Sequence, residues 1–322
     1  MTANVESMMY ANAKPWHGLG QYVGEKDITA REAIIAAGLD WEVELQRIYA
    51  GDGQLLIEDK KAVVRKDKNA VLGVVGNQYR PLQNSEAFSF LDSLVGKESA
   101  VYHTAGALGK GEKIWILLKF PEVMRILKDD VVEKYFLVTN SHDGTSSIQL
   151  LYTPIRVVCQ NTLHQALYTA EAKDQVMKVR HSASTMTRLD DLRNVLMKAD
   201  QFWNQMQTDS ARILQRKISY EEMDSYFRKS LQVVETEGEI SKQAMKTLMG
   251  IHELAETGLG TEIEGVKGTL WGAYNAVVEF VDLYRPAKSK KFEETAKVDS
   301  VLFGSGRVIK ERAWDEALAL VS

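Results

Sequence analysis

The sequence predicts an α+β protein whose N-terminal half is rich in antiparallel strands and whose C-terminal half is helical. Three observations carry this. Between Trp41 and Tyr152 apolar residues recur in short runs, the clearest with a period of two, the pattern of half-buried strands. After His181 they recur at spacings of three and four, the pattern of amphipathic helices. Thr29 and Ser219, each followed three positions on by a glutamate, have the spacing of capping boxes that open helices. The expected domains are an α+β sheet domain over 1–180 and a helical domain, or helical extension packed on the sheet, over 181–322.

Residues before about Lys26 read as loop, punctuated by Pro15, Gly18 and Gly20. A short helix then starts at Thr29, carries Ala33, Ile34 and Ala37, and ends at Gly38. Trp41, Val43 and Leu45 alternate with Glu42, Glu44 and Gln46 in a strand. Leu55 to Ile57, Ala62 to Arg65 and Val71 to Val75 complete a meander of about four strands. Asp59-Lys60-Lys61 and Asp67-Lys68-Asn69 are its expected hairpin loops. Asn84 caps a helix with Phe88, Leu91 and Leu94, stopped by Gly96. Strands resume at Val101 to Leu108, Ile114 to Phe120, Val132 to Thr139 and Ser147 to Tyr152.

Thr153-Pro154 has the chemistry of a helix start, since proline suits a first turn that needs no amide hydrogen. Ile155, Val158, Cys159, Thr162 and Leu163 then fall on one helical face. Leu189, Leu192, Leu196, Ala199, Trp203 and Met206 form a heptad seam, widened by Val195 and Phe202 into the face of a bundle helix. Further helices are expected from Ser219 with Met223, Tyr226 and Phe227, and from Ser241 with Met245, Leu248 and Met249. Another spans Gly268 to Tyr284, and a last one carries Ile309, Ala313, Ala317 and Leu320. Lys288 to Lys291 reads as an exposed linker.

At 322 residues the chain can bury a substantial core in one or two domains. The net charge of -4 denies it a global positive field, so contact with nucleic acid has to rest on a local patch. The single cysteine, Cys159, leaves no intrachain disulfide and no cysteine-based zinc cluster, and fits a reducing compartment. Asn4 and Glu6 interrupt the N-terminus, which does not read as a signal peptide. No apolar run approaches the roughly 20 residues that span a bilayer. The expected location is the cytoplasm of a host bacterial cell, with no membrane association.

Candidate chemistry is sparse. His142 beside Asp143 suggests acid–base work, but Asp143-Gly144 between two strands is a strong hairpin signal. Cys159 pairs on paper with His142 or His164, yet it lies on an apolar helical face where a thiol acts as a small hydrophobe. The histidines at 17, 103, 142, 164, 181 and 252 show no metal-ligand spacing, so neither a metal nor a cofactor is expected. Basic residues do cluster: Lys60, Lys61, Arg65, Lys66 and Lys68 on one hairpin with Arg80 beyond it, and Lys110, Lys113 and Lys119 around the strand of Trp115. Cations beside aromatics on an open sheet suit single-stranded nucleic acid. Lysines that protect a sheet edge give the same pattern.

Several segments together resemble the phage/plasmid-like protein family, a group with a domain of unknown function found in phages, prophages and plasmids. They are Pro15 to Gly20, Ala37 to Trp41, Leu72 to Gly76 with Tyr79 to Asn84, Thr104 to Leu108, Asn140 to Gly144, Thr153 to Leu163, Gly268 to Ala276 and Leu302 to Gly304. The resemblance implies a mobile-element setting and no particular chemistry. The expected order of strands and a following helix is also similar to the β-β-β-α core of phage single-strand annealing proteins.

The resulting expectation is a single-stranded DNA binding and annealing accessory protein of phage or plasmid recombination, working as a homo-oligomer. Arg65, Lys66, Arg80, Lys113 and Arg156 would contact phosphates, Trp115 and Tyr152 would stack on bases, and Gln160 and Asn161 would add uncharged hydrogen bonds. The alternative is a protein-interaction factor with a host or phage partner. An enzyme built on His142 and Asp143, with Cys159 or His164, stands third.

Overall fold

Alternation around Val43 folds into a three-stranded antiparallel sheet of β3 (Val43–Ala50), β4 (Leu55–Arg65) and β5 (Ala70–Gly76), in that order. It belongs to a computed structural model that describes residues 5–11, 20–24, 28–53, 55–95, 100–156, 161–162, 177–185, 187, 199–236, 239–286, 300–301 and 304–322. The chain divides into two compact units. The first is Met1–Pro121, Tyr135–Tyr152 and Glu171–Lys198, and the second is Glu122–Lys134, Thr153–Ala170 and Ala199–Ser322. The α+β character holds, with strand-rich sheets towards the N-terminus and helices towards the C-terminus.

Asp59-Lys60-Lys61 is not a hairpin loop. β4 runs straight through it, and the extra residues are absorbed as a bulge where the register jumps from Arg47↔Lys61 to Ile48↔Ile57. The turn lies instead at Gly51-Asp52-Gly53, all three at positive φ, so the meander has three strands and not four. The polar triplet misled because a bulged, solvent-facing strand and a loop share the same composition. The other expected loop, Asp67-Lys68-Asn69, does turn, with Asn69 at φ 46°.

Helix α1 (Ala30–Ala36) begins with the capping box read from the sequence. The Thr29 hydroxyl accepts from the Glu32 amide, and the Glu32 carboxylate accepts from the Thr29 amide at 2.9 Å. Helix α2 (Asn84–Val95) follows β5. The larger sheet holds β1 (Val5–Tyr10), β2 (Gln21–Tyr22), β6 (Val101–Leu108), β7 (Lys113–Arg125), β8 (Val131–Ser141), β9 (Ile148–Arg156), β10 (Asn161–Thr162) and β11 (Met177–Val179). Its order is β10-β9-β8-β7-β6-β1-β2, with β11 also pairing β9. Every residue of β6 from Tyr102 to Leu108 is buried, so both faces of that strand are covered.

The expected helix at Pro154 is a correction. Thr153, Pro154, Ile155 and Arg156 continue β9, and Asn161 and Thr162 return beside it as β10. A short apolar run buried on both faces carries the same hydrophobic signal as one turn of a buried helix. Proline is tolerated because it falls between the stretch paired with β11, residues 148–150, and the stretch paired with β10, residues 155–156. The strand-then-helix order likened to annealing proteins therefore does not begin at Pro154. Cys159, Gln160 and His164 lie outside the described residues, as do Pro15 to Gly18, the first part of the heptad seam and the Lys288 to Lys291 linker.

In the second unit the helices are α3 (Ala199–Gln215), α4 (Tyr220–Leu231), α5 (Lys242–Thr257), α6 (Leu270–Glu279) and α7 (Ser305–Ala319), with a small hairpin of β12 (Glu235–Thr236) and β13 (Glu239–Ile240). Ser219 and Glu222 form the second capping box, and Ser241 caps α5. Every residue of α6 is buried, which makes it the centre of this unit. The Trp271 indole donates to Asp130 at 2.7 Å, and Tyr274 meets Trp314 of α7 edge-on. Met245 and Met249 of α5 are exposed; Leu248, Ile251 and Ala255 are the buried stripe. A π turn at Phe280–Tyr284 follows α6, closed by the Arg285 amide on the Phe280 carbonyl at 2.7 Å. Among the described residues no helix is long and apolar enough to cross a membrane.

Candidate functional site

Four of the stretches that carry the family resemblance, Ala37 to Trp41, Leu72 to Gly76, Tyr79 to Asn84 and Asn140 to Gly144, meet in the first unit around His142. The turn after β8 brings the ring inward, where its Nε2 lies 2.9 Å from Asn84 Oδ1. Asn84 spends its amide nitrogen on the Leu39 carbonyl, 3.0 Å away, so its oxygen is left to accept and Nε2 carries the proton. Asn140 donates to the Leu82 carbonyl at 3.1 Å, and Tyr79 donates to the Ser141 carbonyl at 3.0 Å. The ring of Trp41 lies 5.3 Å from that of His142. Gly73 of β5 is needed here: a Cβ would stand 2.5 Å from the Asp143 backbone.

This arrangement encloses His142 completely. Burial, reinforced by nearby His181, lowers its pKa to about 3, and burial lowers that of His181 to about 4. Both rings are therefore neutral at physiological pH. Among the described residues, His142 Nδ1 and both nitrogens of His181 find no hydrogen-bond partner. Asp143 faces elsewhere, accepting from the Thr145 amide at 2.9 Å, the Thr145 hydroxyl at 2.6 Å and the Ser141 hydroxyl. The two residues form no acid–base dyad. Adjacent side chains in a turn diverge, and a ring without solvent access works as a structural keystone.

The expected nucleic-acid residues lie in different local settings. Arg65 is buried, bound to Glu6 at 2.6 Å and Asp67 at 2.7 Å, with its guanidinium 4.2 Å from the Trp41 ring and donating to the Lys110 carbonyl. It is neutralised and holds the site's wall together. Lys66 pairs with Glu42 at 2.7 Å in solvent. Arg80 is exposed, donating to the Asn77 and Tyr79 carbonyls. Lys113 is half-buried at the start of β7. Trp115 is 2% exposed, its indole donating to Thr104, and Tyr152 is 3% exposed between Phe120 and Phe136. Neither ring presents a face to a base. Arg156 and Asn161 stand opposite each other in β9 and β10, with side chains outside the described residues, as is the whole of Gln160.

A different group of cations is free. Beyond the end of β5 the β3–β4 pair continues as a two-stranded arm. Arg47 and Lys61 face each other directly at its base, where Lys61 also pairs with Val75 of β5, and among the described residues neither forms an ion pair. Tyr49, on the same side of β3 as Arg47, is 49% exposed and paired with Leu56. The arm's other side shows Ile48, Ile57 and Leu55, the last 66% exposed. The period-two spacing of Arg47 and Tyr49 was visible in the sequence, but reading Lys61 as a loop residue hid their convergence.

The model of a family described as domain of unknown function DUF932 matches residues 71–302, which is most of the chain. The chain belongs to that family. No curated protein and no solved structure matches it.

Proposed function

We propose that this chain is a non-enzymatic association factor of a phage or plasmid, contacting single-stranded nucleic acid through the β3–β4 arm. One observation supports this most. Arg47 and Lys61 sit directly opposite on one face with no ion pair among the described residues to neutralise them, and an exposed tyrosine follows on the arm. Like charges opposite each other destabilise a strand pair, and an anion between them removes the repulsion. Phosphate there and a base on Tyr49 are the two contacts that single strands offer. Glu58 and Asp59 occupy the adjoining bulge, so binding should be modest and salt-sensitive.

Fluorescence anisotropy with a labelled oligothymidine, titrated with salt, tests the reading. R47E/K61E should weaken binding at low salt by more than about tenfold, and the salt slope should fall by about two, one for each lost phosphate contact. Absence of binding by the unaltered protein at low salt would end the proposal. A protein partner is the competing reading, favoured by the apolar side of the arm at Leu55. Under it, L55E would abolish a nuclease-resistant complex while R47E/K61E would leave it intact.

A further inference from the structure

We propose that the helical unit holds a binding site for a small organic anion, a carboxylate or phosphate on an apolar body, with Arg285 as its charged anchor. Between α5, the β12–β13 hairpin and the π turn lies a cleft of about 810 Å³, whose lining includes Leu231, Val233, Ile240, Phe280, Arg285 and Ile309. That volume falls within the few hundred to one thousand Å³ typical of small-molecule sites, which combine an apolar lining with few polar anchors.

Arg285, like Arg125 and Arg312 of this unit, forms no ion pair among the described residues, and of the three it alone lines the cleft. Arg216, Arg228 and Arg307 each pair with a carboxylate. Among the described residues Arg285 donates only to hydroxyls, to Ser305 Oγ at 3.1 Å and Ser300 Oγ at 3.4 Å. These bonds hold the guanidinium without cancelling its charge. It is half-buried, and burial pulls its pKa below the ordinary guanidinium value, so the charge is both desolvated and unopposed. A partly buried cation lacking a counter-ion favours an anion, and a guanidinium offers a fork suited to planar oxyanions.

The π turn supplies the placement. Its five-residue hydrogen-bond loop ends at Arg285, and its first residue, Phe280, lines the cleft. One irregular turn therefore contributes both the apolar surface and the cation. The other charged residue of the lining, Glu239, is exposed on the hairpin, where water screens it. A second cleft of about 590 Å³ continues past Phe280 and shares Gln243, Thr247 and Pro286, leaving room for a longer apolar body.

Calorimetric titration of the full chain with phenyl phosphate, benzoate and phenol tests the site. One saturable site for at least one of the two anions is expected, with phenol at least about tenfold weaker; which anion binds more tightly distinguishes phosphate from carboxylate chemistry. Arg285→Gln, which can still hydrogen-bond the two serines, should weaken the anion by about tenfold or more. Thr247→Trp, filling the cleft from α5 without touching Arg285, should remove binding while circular dichroism and Tm stay near those of the unaltered protein. Failure of both anions to bind at millimolar concentration overturns the proposal, as does equal binding of phenol or unchanged affinity in both variants. Oligonucleotide binding by the arm is read separately, so the two ideas can fail independently.

Discussion

Acidification should destabilise the first unit well before its carboxylates titrate. His142 and His181 are buried as neutral rings with pKa values of about 3 and about 4, against an ordinary value of 6.5. Their folded-state pKa values are depressed, so the unfolded chain binds more protons throughout the window between. The stabilisation is complete above about pH 6.5 and is lost as pH falls towards 4. At pH 5 each ring is about 1.5 units below its unfolded pKa, worth about 2 kcal/mol, or about 4 kcal/mol for the pair. Domains are commonly stable by only about 5–15 kcal/mol, so the loss is readily measured. Urea unfolding at pH 7 and pH 5 provides the measurement. The His181→Phe variant separates the two rings: it keeps the aromatic contact with Tyr79, at 4.6 Å, and removes two nitrogens that find no hydrogen-bond partner among the described residues. It should retain only about half of the pH dependence. A free energy unchanged between the two pH values would refute the reasoning, and so would the full loss persisting in His181→Phe.

In the second unit, Lys310 and Asp282 form a wholly buried ion pair at 2.7 Å. Lys310→Ala should cost about 3–5 kcal/mol by stranding the carboxylate, whereas the double change to Met and Leu should cost far less, both read from Tm. Gly73→Ala should destabilise the first unit by about 1–3 kcal/mol, because the new methyl meets the Asp143 backbone and not a flexible side chain. Urea midpoints would check this, and a neutral result would mean that the loop moves freely away from β5.

Local chemistry was legible wherever a few neighbouring residues decide the outcome. The capping boxes at Thr29 and Ser219 formed as read, because both partners lie within one turn of the helix they open. The helix at α6 was equally clear from Leu270, Tyr274, Val277 and Val281, all buried. Alternation gave the strand of Val43, and the helical half followed from its spacing of three and four. Partnership was not legible. Whether Arg65 is a free cation depends on Glu6, distant in sequence, and whether Trp115 is exposed depends on what covers both faces of β6 and β7.

Sequence alone therefore settled the class of fold and the start of several helices, since backbone propensity, capping and periodicity act over only a few residues. Tertiary structure decided the rest: that Pro154 lies in a strand, that His142 is sealed, and that among the described residues Arg47, Lys61 and Arg285 form no ion pair with a carboxylate. Charge and exposure are properties of a side chain's surroundings, and those surroundings come from segments far apart in the chain.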